Sequence, residues 1–169
     1  MFHQPKPLVP APDWAANPQR GDVVLFRFPV ADSADHKEQP KRRPSLVLDV
    51  RKRGADCFVE LAYGTSSDGR ANRGYEVSVK QPKSRARAGL NKPTRFVCAR
   101  RIIVNVNSSG FHCPDGTTSP LLGRLDEALM ERMNAIRARL QAEADIAAHY
   151  REERRQEQAR WAREDRGFR

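Results

Sequence analysis

Gly21-Asp22-Val23-Val24-Leu25-Phe26-Arg27-Phe28-Pro29-Val30 is joined by a polar segment, Ala31 to Pro40, to Lys41-Arg42-Arg43-Pro44-Ser45-Leu46-Val47-Leu48-Asp49-Val50. The reading of this stretch decides the fold. Val23 to Val30 alternates and is rich in β-branched and aromatic residues, which predicts a strand that Gly21 opens and Pro29 closes. Pro44 has no N–H and biases Arg43 toward extended backbone, so it predicts the first position of a second strand, Ser45 to Val50. Arg43 then sits at a loop-to-strand junction, where rigid backbone meets an exposed side chain. A plainer reading is also open, in which Lys41, Arg42 and Arg43 form a solvated basic loop guarding a strand edge.

Outward from this hairpin, further strands are expected at Cys57 to Tyr63, Tyr75 to Val79 and Phe96 to Val106, with a short final one at Leu121 to Leu125. Gly64-Thr65-Ser66-Ser67-Asp68-Gly69 and Asn107 to Pro120 are turn-rich connections. Lys80 to Lys92 reads as an exposed basic loop carrying Lys80, Lys83, Arg85, Arg87 and Lys92. Asp126 is a good helix N-cap, and Leu129, Met133, Ile136 and Leu140 follow at spacings that place them on one helical face. Beyond Tyr150 the chain holds seven arginines and five acids, the pattern of an exposed helix continuing from the packed one. At the other end, residues 1–20 carry five of the twelve prolines and predict an extended or disordered arm with Trp14 as its anchor. The expected units are therefore a Pro-rich arm at 1–19, a folded domain at 20–142 and a charged helical extension at 143–169.

With 169 residues, of which 38% are hydrophobic, the chain supports one modest core. A net charge of +10 favours a polyanionic partner such as nucleic acid. Cys57, Cys98 and Cys113 are an odd set without zinc-ligand spacing, and His112 is merely adjacent to Cys113, so no metal site and no cofactor is expected. Cys57 and Cys98 fall in apolar strand patterns and read as small core residues. No long apolar run and no apolar leader core occurs, so neither membrane insertion nor export is expected, and a bacterial cytoplasm suits the chain.

The hairpin resembles the N-terminal half of the MazF/PemK/Kid family of endoribonuclease toxins. The resemblance is carried by Gly21-Asp22-Val23-Val24, Phe28-Pro29, Arg43-Pro44 and Leu46-Val47-Leu48, and continues through Ala62-Tyr63-Gly64-Thr65-Ser66-Ser67. It extends diffusely through Gly89-Leu90, Thr94-Arg95-Phe96 and Leu122-Gly123-Arg124-Leu125, covering about residues 19–142. It implies a mainly β fold, a small SH3-like barrel with a C-terminal helix. It further implies a homodimer, inhibition by a cognate antitoxin, and metal-independent cleavage of single-stranded RNA.

Such cleavage uses the substrate 2′-hydroxyl as nucleophile and needs a base, an acid and positive charge for the developing phosphorane. The resemblance assigns the charge to Arg43, whose planar fork of donors suits phosphate oxygens. It places Thr65 near that arginine, where its hydroxyl can orient the phosphate; an ordinary turn hydroxyl is the alternative. Glu38 before the Arg-Pro pair is a candidate base, and His36 is the other. Lys41, Arg42, Ser66, Ser67, Arg95 and the loop cations Lys83, Arg85 and Arg87 are the expected RNA contacts. One departure stands out: many members carry an acidic residue followed by Gln before the long fifth strand, where this chain has Thr94-Arg95-Phe96. A non-catalytic RNA- or protein-binding module on the same fold is the competing class.

Overall fold

The computed structural model describes residues 13–29 and 41–167. Six strands, β1 (Asp22–Arg27), β2 (Arg42–Arg53), β3 (Asp56–Thr65), β4 (Glu76–Val79), β5 (Thr94–Asn105) and β6 (Leu121–Arg124), form one antiparallel sheet in the order β4-β5-β3-β2-β1-β6. A short helix α1 (Pro82–Arg87) lies between β4 and β5, and a long helix α2 (Glu127–Gly167) ends the described chain. The protein is mainly β, a curled half-barrel sheet with a C-terminal helix. The curl has a local cause. Pairing registers shift between Val23 and Val24, between Val47 and Asp49, and between Ala62 and Tyr63, and such irregularities bend strands and increase their twist.

Alternation along the strands produces two buried clusters. One joins Val23, Leu46, Leu48, Phe96 and Cys98 to Met133 and Ile136 of α2. The other joins Val24, Phe26, Phe28, Val47 and Leu61 to Trp14, with Phe111 packed against them. Because both faces are covered, β2 and β3 read as continuous apolar runs, not as strictly alternating ones. Cys98 is fully buried and Cys57 half-buried against the Trp14 cluster, as their apolar contexts predict.

The hairpin β2–β3 turns at Gly54, whose φ of +60° suits the first central position of a two-residue connection. β2 starts earlier than the Arg43-Pro44 pair indicates, since β1 pairs back to Arg42 and places Arg43 opposite Phe26. Arg43 is thus the second residue of a strand and only partly exposed. Lys80 to Lys92 is not a plain loop. Pro82 stands at the first turn of α1, where its missing N–H costs nothing.

The end of the proline-rich arm is folded. Trp14 opens a 3-10 turn (Trp14–Ala16), is 5% exposed, and its ring lies 5.1 Å from that of Phe111. Its Nε1 donates to Asp22 Oδ2 at 3.0 Å, and the Gln19 N–H donates to the same oxygen at 2.8 Å. Arg124 of β6 donates to the other oxygen at 3.0 Å, so one buried carboxylate ties the arm, β1 and β6 together. On the opposite side α2 is fastened by Tyr75, whose hydroxyl donates to Glu143 at 2.7 Å beneath the Arg139 guanidinium. From Gln141 onward almost every α2 residue is exposed. Among the described residues no helix is long and apolar enough to cross a membrane.

Candidate functional site

The β2–β3 ladder ends at the pair Ser45–Tyr63. Continuing that register by two residues sets Arg43 level with Thr65 at the adjoining ends of the two strands. Gly64 allows the approach, because a Cβ there would collide with the Pro44 carbonyl oxygen. The Arg43 guanidinium carbon lies 5.2 Å from the centroid of the Tyr63 ring, and Phe28 meets the same ring edge-on at 5.4 Å.

A second guanidinium shares that ring. Arg100 Cζ stands 4.6 Å from the Tyr63 centroid. It arrives there because β3 pairs Ala62 with Arg101 but Tyr63 with Val97, so Cys98, Ala99 and Arg100 are extra residues opposite one peptide step. Local sequence carries no signal for this bulge, which is why Arg100 and Tyr63 were missed as site residues. Arg42 precedes Arg43 on β2, so its side chain leaves from the other face of the sheet, where its Nη1 lies 2.9 Å from His112 Nε2 and the His112 backbone N–H donates to the Leu25 carbonyl at 3.0 Å. Among the described residues no carboxylate forms an ion pair with Arg42, Arg43 or Arg100, and Arg43 Nε is buried without a hydrogen-bond partner. Guanidiniums that lack a carboxylate partner attract an anion.

Thr65 is buried, and its hydroxyl is engaged locally. Thr65 Oγ1 lies 2.9 Å from Ser67 Oγ and accepts the Ser67 N–H at 3.2 Å. Ser66 is exposed beside it. Arg95 does not reach outward as the sequence reading expects. Its guanidinium donates to Glu76 at 2.6 Å, to the Gly69 carbonyl at 2.9 Å and to the Ser67 carbonyl at 3.1 Å, and its side chain is 15% exposed. Arg95 is therefore a bracket that shapes the segment after Thr65. Its partner Glu76 stands at the start of β4, a carboxylate the sequence reading passed over.

Lys83, Arg85 and Arg87 lie on α1, apart from this segment. Arg87 borders a depression shared with Asp126, Glu127 and Glu131, and Arg85 is half-buried with a long 3.4 Å contact to the Asn91 carbonyl. Lys41 is exposed next to Arg42. Glu38 and His36 lie outside the described residues. Among the described residues no three His, Cys, Asp or Glu side chains are grouped to hold a metal ion. Burial pushes the Cys98 thiol up to about 12, which keeps it protonated and unreactive at neutral pH.

No protein-family model matches this chain, and no curated protein matches it either.

Proposed function

We propose that this chain is a toxin-like endoribonuclease of a toxin–antitoxin system, on an SH3-like barrel of the MazF/PemK type, that cleaves single-stranded RNA without a metal ion. The observation that supports it best is the pair of guanidiniums, Arg43 and Arg100, over the Tyr63 ring two residues before Thr65, with no ion-paired carboxylate on either among the described residues. In this reading a base takes the substrate's 2′ proton and the 2′-oxygen bonds to phosphorus. The P–O5′ bond then breaks and the departing 5′-oxygen takes a proton. Products carry a 2′,3′-cyclic phosphate and a 5′-hydroxyl.

Arg43 and Arg100 stabilise the charge that grows on the nonbridging oxygens, a role in which one well-aimed donor contributes about 10²–10³ in rate. A guanidinium offers donors and no acceptor, so neither is a suitable base. Glu38 and His36, in the segment joining Pro29 to Lys41 outside the described residues, are the candidate bases. Thr65 orients the phosphate, and Lys41, Ser66 and Ser67 line its approach. The same reading makes the chain a cytoplasmic homodimer restrained by a cognate antitoxin.

One observation favours the competing reading, a binding module without catalysis. The Thr65 hydroxyl already serves a local turn through Ser67. Incubating purified protein with long single-stranded RNA in EDTA separates the two. New RNA ends made by wild type and lost in Arg43→Ala support the enzyme. Binding without new ends supports the module.

A further inference from the structure

We infer that RNA leaves the Arg43–Thr65 site through the groove beyond Thr65, where Arg70, Arg73, Lys80 and Lys92 hold its phosphates. This rests on the endoribonuclease reading and assigns the substrate a path that the sequence reading placed over Lys83, Arg85 and Arg87.

The groove has a volume of about 880 Å³ and begins at Thr65, so it is continuous with the candidate site. One wall is the segment from Ser66 to Arg73; the other is the outer edge of β4 and the start of β5, from which Lys80 and Lys92 project. Arg95 holds the first wall to the second, since it binds the Ser67 and Gly69 carbonyls and Glu76 of β4 at once. Glu76 is thereby neutralised. Asp68 is the other carboxylate on the lining, set against Arg70, Arg73, Lys80 and Lys92, none of which is in an ion pair among the described residues. Four unpaired cations along one groove suit a chain of phosphates better than a single small anion. The lining contains no aromatic side chain, so the bases gain no stacking platform and the groove reads backbone charge, not sequence. On α1, by contrast, Arg87 faces Asp126, Glu127 and Glu131, which offset its attraction for phosphate.

The test measures binding of fluorescein-labelled single-stranded 2′-O-methyl RNA, which lacks the attacking hydroxyl, by anisotropy across a salt series. Wild type is compared with Lys80→Gln/Lys92→Gln and with Lys83→Gln/Arg87→Gln, all exposed positions whose variants are checked for matching thermal melts. The groove variant should flatten the slope of log K against log salt by about 1.4, from about 0.7 per lost contact on a single strand. It should do so equally for RNAs of different sequence, and the α1 variant should leave the slope unchanged. If the α1 variant flattens it instead, or both do equally, the groove is overturned while RNA binding stands. Should the groove variant behave as expected but wild type fail to cut ordinary RNA, the groove holds and the catalytic reading fails. No RNA binding by wild type at low salt removes both.

Discussion

Arg43 is held at a strand end by Pro44 and Gly64, against an aromatic ring, with a buried Nε that has no protein acceptor among the described residues. Removing it should lower kcat on RNA by on the order of 10²-fold or more, since the loss is one of transition-state charge stabilisation. Folding should survive, and an unchanged rate in a stopped RNA-cleavage assay would take Arg43 out of the site. Arg95 behaves in the opposite way. Arg95→Ala leaves Glu76 and two carbonyls without their donor and should cost about 2–3 kcal/mol in urea denaturation. The Glu76→Ala/Arg95→Ala double variant should recover part of that loss, because the unpaired carboxylate is gone. Additive losses would mean the pair does not act as a unit. At this scale legibility depended on how local the cause was. The strand-end position of Arg43 could be read from the neighbouring Pro44, and Thr65 entered through the resemblance alone, whereas Arg100 reaches Tyr63 only through a bulge set by strand pairing. Ser67, Gly69 and Glu76, the partners that hold Arg95, are distant in sequence and so leave no local signal.

Helix α2 was the most legible element, because Leu129, Met133, Ile136 and Leu140 repeat at helical spacing and Asp126 caps the start. The Ser84 hydroxyl, 2.5 Å from Asp126 Oδ2, and the Leu129 N–H hold its carboxyl below the ordinary value of 3.8. A depressed pKa in the fold stabilises above the unfolded value, and that contribution disappears as pH falls through the folded value. Asp126→Ala should therefore cost about 1 kcal/mol near neutrality. The gap to wild type should narrow below about pH 4; a constant gap from pH 7 to pH 2 would separate the cap from charge. Ile136→Ala should cost roughly 2–4 kcal/mol through lost burial and a cavity. Truncation after Tyr150 should leave the melting temperature and RNA cleavage nearly unchanged, because the last α2 side chain fastened to the sheet is Glu143. Unfolding of the truncated chain would make the extension structural. α1 was not legible, since so short a helix shows no apolar period; it is positioned by the Ser84–Asp126 hydrogen bond and by buried Ala88 and Leu90.

Across the whole molecule, the charge is unevenly spread. Residues 151–169 hold seven arginines against five acids and so carry only +2 of the net +10. The basic excess therefore lies upstream, in the part that contains Arg43, Arg100 and the groove beyond Thr65. The strand count was readable from periodicity, but the sheet order β4-β5-β3-β2-β1-β6 was not, because it is decided by pairing between segments far apart in the chain. The end groups of cut RNA report directly on the chemistry at Arg43. Long single-stranded RNA should be incubated with the wild-type protein in EDTA and the new termini analysed. Attack by the 2′-hydroxyl leaves 2′,3′-cyclic phosphate or its hydrolysis product on one side and 5′-hydroxyl on the other. Cleavage that needs magnesium and leaves 5′-phosphate would contradict it.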